Sequence, residues 1–234
     1  MDMGDYDIDE LNKTSCDPWG SHWEDEDGEG AMSDIDPDKK NYGTDANRIS
    51  NNCLYYNISN LNMEISKHQN EDSLALFHLN IRSLRKNVTN FSICLDTIEK
   101  KYDVIALSET WLKDYNADLY QIDGYQHEFV TRDHSTGGGV SLFLQSNLIY
   151  KKRKDLNYHD ITLDMLWVEV ENLPTIHKNA ILGVIYKAPG CDPTKFINKL
   201  QDIIDIVDKE KKVIFHMGDY NLDLIKADSH MSTS

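Results

Sequence analysis

The sequence predicts a mixed α/β layered domain, with helices covering a sheet, behind an acidic leader. Short apolar runs rich in β-branched and aromatic residues recur from Ser73 onward. Two segments between those runs carry a helical period instead. Residues 1–50 show neither pattern and hold 15 acidic against 4 basic side chains, a net of -11 within a total of -16 for 234 residues. The remaining 184 residues therefore carry a net charge of only -5.

The elements follow in order. Strands are predicted at 74–79 (LALFHL), 103–107 (DVIAL), 140–145 (VSLFLQ), 165–170 (MLWVEV), 180–186 (AILGVIY) and 213–217 (VIFHM), bounded mostly by turn formers. Between the first two, Phe91, Cys94, Leu95 and Ile98 fall at i, i+3, i+4 and i+7, one apolar stripe of a helix. Before the last strand, Pro193 sits where a first-turn proline is tolerated, and Phe196, Leu200, Ile203, Ile204 and Val207 keep the helical period. Strand–helix–strand followed by consecutive strands describes a mixed sheet, not a purely parallel doubly wound one.

The segment Asp17–Lys40 is acidic, rich in Gly, Ser and Pro, and lacks either hydrophobic period, so it cannot bury enough apolar surface to offset its ordering entropy. Trp19 and Trp23 beside the acidic run offer a protein partner a short recognition motif, against the plainer reading of a solvated tail. Leu54, Ile58, Leu61 and Ile65 fit a marginal helix or a linker. The expected organisation is a leader and linker over 1–72, a catalytic-type domain over 73–225 and a tail over 226–234. Cys16, Cys53, Cys94 and Cys191 form no CxxC pair, which fits reduced thiols better than a disulfide framework or zinc site. MDMGDYDIDE lacks a signal peptide's basic and apolar regions, and nowhere do 18 apolar residues run together. The expectation is an intracellular protein without a membrane span. Lys151-Lys152-Arg153-Lys154 admits a nuclear-localisation reading, weighed against a solvated loop or edge-protecting charge run.

Three strands stop at polar residues. LALFHL ends at Asn80, DVIAL at Ser108 and Glu109, and VIFHM at Gly218, Asp219, Tyr220 and Asn221. In α/β sheets, ligands gather at the carboxyl ends of strands. If strand geometry persists, Asp219 and Asn221, two apart, face one way. Carboxylates are hard oxygen ligands suited to Mg2+, and amides donate to phosphate oxygens without adding charge. Glu109 as metal ligand, Asp219 as the group that orients or deprotonates water, and Asn80 and Asn221 on the phosphate make a metal-assisted phosphoryl hydrolase. Taken singly, each also fits a structural role: Asn80 or Glu109 as a cap, GDYN as a tight turn.

FHLNIRSL (77–84), ALSETWL (106–112), TRDHSTGGGVSLFL (131–144), LGVIYKAPG (182–190) and HMGDYNLDL (216–224) occur in an order and spacing that resemble the endonuclease/exonuclease/phosphatase superfamily. They look most like the apurinic-type endonuclease domain of non-LTR retrotransposons. The resemblance covers 73–225 and implies a four-layer α/β sandwich, two mixed sheets face to face with helices outside, and Mg2+ (or Mn2+)-dependent cleavage of a DNA phosphodiester. It assigns Asn80 to the phosphate and metal region, Glu109 to the metal, Tyr186 to the scissile phosphate, Asp219 to water activation, and Asn221 to positioning that aspartate and the phosphate. The family pattern continues past GDYN with further strands and a terminal Ser-Asp-His motif. Here Asp228, Ser229 and His230 stand in the wrong order. A C-terminally incomplete sandwich with weak or no activity is therefore expected.

Candidate DNA contacts are Arg82, with Arg85 and Lys86, Lys187 beside Tyr186, and Arg132, whose stretch equally fits a turn-stabilising role. Two other functions stay open: a non-catalytic, domesticated binding module, and a phosphoesterase of the same superfamily acting on inositol phosphates or other small phosphodiesters.

Overall fold

A computed structural model describes residues 56–67, 73–132, 137–173, 176 and 178–222. The acidic leader with Trp19 and Trp23, His134, and Asp228, Ser229 and His230 lie outside the described residues. Helix α1 (Ile58–Lys67) comes first, then strand β1 (Leu76–Asn80), helix α2 (Leu84–Thr97), β2 (Val104–Ser108), a 3-10 turn (Ala117–Leu119), β3 (Tyr125–Val130) and β4 (Val140–Gln145). They are followed by β5 (Tyr150–Lys152), β6 (Tyr158–His159), β7 (Leu163–Leu173), β8 (Lys178–Lys187), helix α3 (Pro193–Lys209) and β9 (Val213–Asp219).

Two mixed sheets result, one ordered β1-β2-β4-β3 and the other β5-β7-β8-β9, with β6 paired to β7. β1 and β2 run parallel around α2, and β8 and β9 run parallel around α3; the other pairings are antiparallel. Apolar residues from both inner faces meet between the sheets, among them Ala106, Leu142, Val168 and Leu182, all without exposed surface. On the outer face of the first sheet, Leu84 and Phe91 of α2 pack on Ile105 and Phe143. On the outer face of the second, Phe196, Ile203 and Val207 of α3 pack on Trp167, Ile181 and Ile185. The molecule is thus a four-layer α/β sandwich.

Both covering helices start at a side-chain cap. The Asp192 side chain accepts from the Thr194 amide ahead of Pro193, and Ser83 accepts from Lys86 N. Helix α1 buries no residue fully but is tied to the end of α2 by Asn62, which donates to Thr97 O at 2.9 Å and accepts from Glu99 N at 3.1 Å.

Three strands, β3, β5 and β6, escape the sequence reading. In β3, Gln126, His127 and Glu128 break the apolar run of an edge strand, and β5 and β6 are too short to set a period. The basic run 151–154 is not a loop of solvated charges. Lys151 and Lys152 belong to β5, and Arg153 is buried against Asp155, Glu169 and Glu210. Among the described residues no helix is long and apolar enough to cross a membrane.

Candidate active site

β1 and β9 lie at the ends of their sheets and approach each other across the sandwich. Asn80 closes β1 and Asp219 closes β9. The Asn80 Nδ2 donates to Glu109 Oε1 at 2.8 Å and to Asp219 Oδ2 at 2.6 Å, so one amide holds two carboxylates from two sheets. Its orientation is required chemically, because both partners accept only. Trp111 Nε1 donates to the other Glu109 oxygen at 3.3 Å.

The backbone in these turns is unusual. Of the seven non-glycine residues with positive φ among those described, Arg82, Ser83, Glu109, Trp111 and Asn221 follow β1, β2 or β9. Such conformations cost about 1–3 kcal/mol each and persist where surroundings over-determine them, characteristically at functional sites. Here the ladder beyond β1 and β2 does so: Ser83 N bonds Glu109 O at 2.8 Å, and Leu84 N bonds Thr110 O at 2.9 Å. On the other side, Thr110 N and Trp111 N bond the carbonyls of Gly139 and Gly138.

Tyr186 stands directly opposite Asp219 in the β8–β9 ladder and opposite Asp164 in the β7–β8 ladder. Residues opposite one another share a face about 5 Å apart, so Asp164, Tyr186 and Asp219 form a row. Burial pushes the Tyr186 phenol up to about 12, with the charges of Glu109 and Asp219 adding and that of Arg132 opposing. It is therefore a neutral O–H donor at physiological pH.

Asn221 departs from the strand geometry expected for it. β9 ends at Asp219, and Asn221 takes φ +44°, so alternation does not set its direction. It turns back instead: its backbone N–H donates to Asp219 Oδ1 at 3.1 Å and its Nδ2 to Lys187 O at 2.8 Å. Lys187 is only 1% exposed, and its Nζ lies 3.3 Å from Asn221 O. Arg132 is 6% exposed and bonded to Asp164 and to Ile161 O, which fits the turn-stabilising reading. Of the basic candidates, Arg82, Arg85 and Lys86 are exposed. Asp164 and Trp111 were absent from the candidate residues of the sequence reading. A carboxylate at the start of the apolar run LDMLWVEV was the available signal for the first, and Trp111 entered only as part of the SETWL motif.

The sequence profile of the Endonuclease/Exonuclease/phosphatase family matches residues 54–233, well over half the chain. The chain belongs to this family. Among solved structures, the endonuclease/exonuclease/phosphatase domain is similar to the Xenopus laevis APE2 catalytic domain, at 18% identity and TM-score 0.45, covering 63% of this chain and 58% of that one. It is also similar to a Neisseria 3' phosphatase, NExo, bound to a product DNA hairpin, at 15% identity and TM-score 0.43, covering 64% and 58%. A humanized D. rerio TDP2 gives 15% identity and TM-score 0.47, covering 68% and 71%. The domain thus spans 58% of the length of the first two structures it matches. No curated protein sequence matches it.

Members of this family generally depend on a divalent metal, and the donor set of the endonuclease/exonuclease/phosphatase domain suits a hard one. Among the described residues no group of three or more His, Cys, Asp or Glu gathers at one point. Glu109 with Asn80 beside it is instead a sparse oxygen site of the kind Mg2+ takes, filling its shell with water and substrate phosphate. Histidine is not in this set. His78, two residues before Asn80, turns its Nε2 to Ser108 Oγ at 3.2 Å, and burial lowers its pKa with the Asp219 charge partly opposing.

Proposed function

We propose that the chain is a metal-dependent phosphodiesterase acting on DNA, a nuclease of the retrotransposon endonuclease type. The observation that carries this reading is the Asn80 amide, which fixes Glu109 and Asp219 side by side at the open end of the two sheets. A carboxylate for a metal and a carboxylate for water, held by an uncharged donor, suit in-line attack on a phosphodiester.

Glu109 and Asn80 would hold Mg2+ (or Mn2+), which when bound polarises the phosphoryl oxygen. Asp219, steadied by the Asn80 side chain and the Asn221 backbone amide, accepts the proton of the attacking water at Oδ1 or Oδ2. Tyr186 donates its phenolic proton in a hydrogen bond to a phosphate oxygen. Arg82, exposed just past Asn80, meets the flanking DNA backbone. Among the described histidines none bonds Asn80, Glu109, Tyr186 or Asp219. A general acid for the leaving oxygen contributes roughly 10² to 10⁴ in rate, so weak nicking is the activity this reading expects of the described residues. DNA is favoured as substrate over inositol phosphates by the SETWL and TRDHSTGGGV motifs, which resemble those of the retrotransposon branch.

Parallel assays on supercoiled plasmid DNA and on inositol phosphates with Mg2+ test the substrate class. Slow conversion of plasmid to the nicked form, with no phosphate released from the inositol phosphates, is expected; the reverse preference overturns the reading.

A further inference from the structure

Asp164 has no exposed surface, yet its two oxygens are crowded with donors. Oδ2 accepts from Arg132 Nε at 2.8 Å and from Gly139 N at 2.8 Å; Oδ1 accepts from His159 Nδ1 at 2.6 Å. Arg132 and Gly139 belong to the connection between β3 and β4 in the first sheet, whereas Asp164 lies on β7 in the second. Asp164 therefore makes a second tie between the sheets. It flanks Tyr186 on the side opposite the Asn80–Asp219 bridge.

Each arm of this tie leads to the site. The Arg132 guanidinium carbon sits 5.4 Å from the centre of the Tyr186 ring, its Nη1 is bonded to Ile161 O, and its buried Nη2 has no hydrogen-bond partner among the described residues. The ring is thus a principal neighbour of that guanidinium, and the guanidinium limits where the ring can sit. The Gly139 arm continues through its carbonyl to Thr110 N at 3.2 Å, next to Glu109. Bulk stability gives little reason for such an arrangement, because a buried ion pair is often no better than well-packed apolar side chains.

We propose that Asp164 is a positioning residue for the site, placing Tyr186 through Arg132 and Glu109 through Gly139 and Thr110. The inference rests on the phosphodiesterase reading for its catalytic consequence, but not for its structural one. Asp164→Asn preserves the shape and removes the charge. A misplacement of about 1 Å can cost about a hundredfold in rate, so kcat for plasmid nicking should fall about 10- to 100-fold with KM changed less than about threefold. Two residues acting as a unit are non-additive. In a Tyr186→Phe background the same substitution should therefore cost less than it does in the wild type, the remainder being the part that acts through Glu109, whereas a general loss of structure would cost the same in both backgrounds.

A readout independent of activity is the fluorine NMR spectrum of the 3-fluorotyrosine-labelled protein, in which the Tyr186 resonance is the one absent from Tyr186→Phe. Asp164→Asn should shift or broaden that resonance, and so should Arg132→Lys, which keeps the ion pair but loses the planar fork. An unmoved Tyr186 resonance in both variants overturns the proposal, as does a full loss of kcat in the Tyr186→Phe background. If the wild-type chain cleaves no phosphodiester, the phosphodiesterase reading fails, and the fluorine shift alone decides the role of Asp164.

Discussion

The Asn80 Nδ2 lies 2.6 Å from the Asp219 Oδ2, joining the last residue of β1 in one sheet to the last residue of β9 in the other. Asn80→Ala removes the donor that both carboxylates share and leaves Glu109 and Asp219 facing each other. Hydrogen bonds to charged groups contribute about 1.5–3 kcal/mol each, but repulsion between the freed carboxylates is relieved by moving them apart. The expected result is a stability loss of about 1–2 kcal/mol in urea titration and a fall in nicking rate of about 10² to 10³. A variant that keeps its rate would show that the bridge does not organise the site.

Tyr186 is the donor whose protonation the site protects. Its pKa is raised to about 12, so the neutral phenol is the form the fold favours. Any stability this contributes is complete below the ordinary value of 10 and is lost as pH rises through about 12. Burial also raises the phenols of Tyr150 and Tyr220, so tyrosine ionisation followed by ultraviolet absorbance should show a late-titrating group of phenols, from which Tyr186→Phe removes one. The activity of the wild type should be insensitive to tyrosine ionisation up to about pH 11.

Gly218 precedes Asp219 with φ +156°, and a Cβ there would run into the Ile185 carbonyl oxygen on β8. The absence of a side chain is what lets β9 lie in register with β8 beside Tyr186. Gly218→Ala should push the two strands apart where Asp219 is held, costing about 1–3 kcal/mol in stability and more than tenfold in nicking. Chemical denaturation and the plasmid assay measure the two separately. A variant with full activity would contradict this account of the turn.

Glu169 shows how the end of the sandwich away from the site is secured. Burial opposes its ionisation, but hydrogen bonds from Lys212, Asn179 and Lys151 hold its pKa at about 2. Arg153 adds a contact at 3.3 Å and also grips Asp155 and Glu210. A carboxyl held below its ordinary 4.5 stabilises the fold fully above that pH, and the contribution is lost as pH falls toward 2. Arg153→Ala should destabilise the protein by about 2–4 kcal/mol at neutral pH, because a buried charge loses a partner. It should also move acid unfolding, followed by circular dichroism, to higher pH.

The residues that close buried strands were legible because the sequence changes character abruptly there. LALFHL running into Asn80, DVIAL into Ser108 and Glu109, and VIFHM into Gly218 and Asp219 mark both the strand and its end. Helix α3 was legible from Pro193 and its stripe of Phe196, Ile203 and Val207. What stayed hidden was set by partners far along the chain. Asp164 drew no notice because two of its donors, Arg132 and Gly139, are 32 and 25 residues away. Arg153 sat in a run of cations, and nothing local distinguishes the one that turns inward to Glu169. The condition that strand geometry persists to Asn221 is not met, because β9 ends at Asp219 and Asn221 adopts positive φ.

The central claim is that Glu109 and Asp219 work together on a phosphodiester. Purified wild-type chain and Asp219→Asn, incubated with supercoiled plasmid in Mg2+ and again in excess chelator, test it most directly. The account predicts slow nicking by the wild type in Mg2+, none in chelator, and none by Asp219→Asn in either. Nicking that survives the loss of Asp219 or of the metal would contradict it.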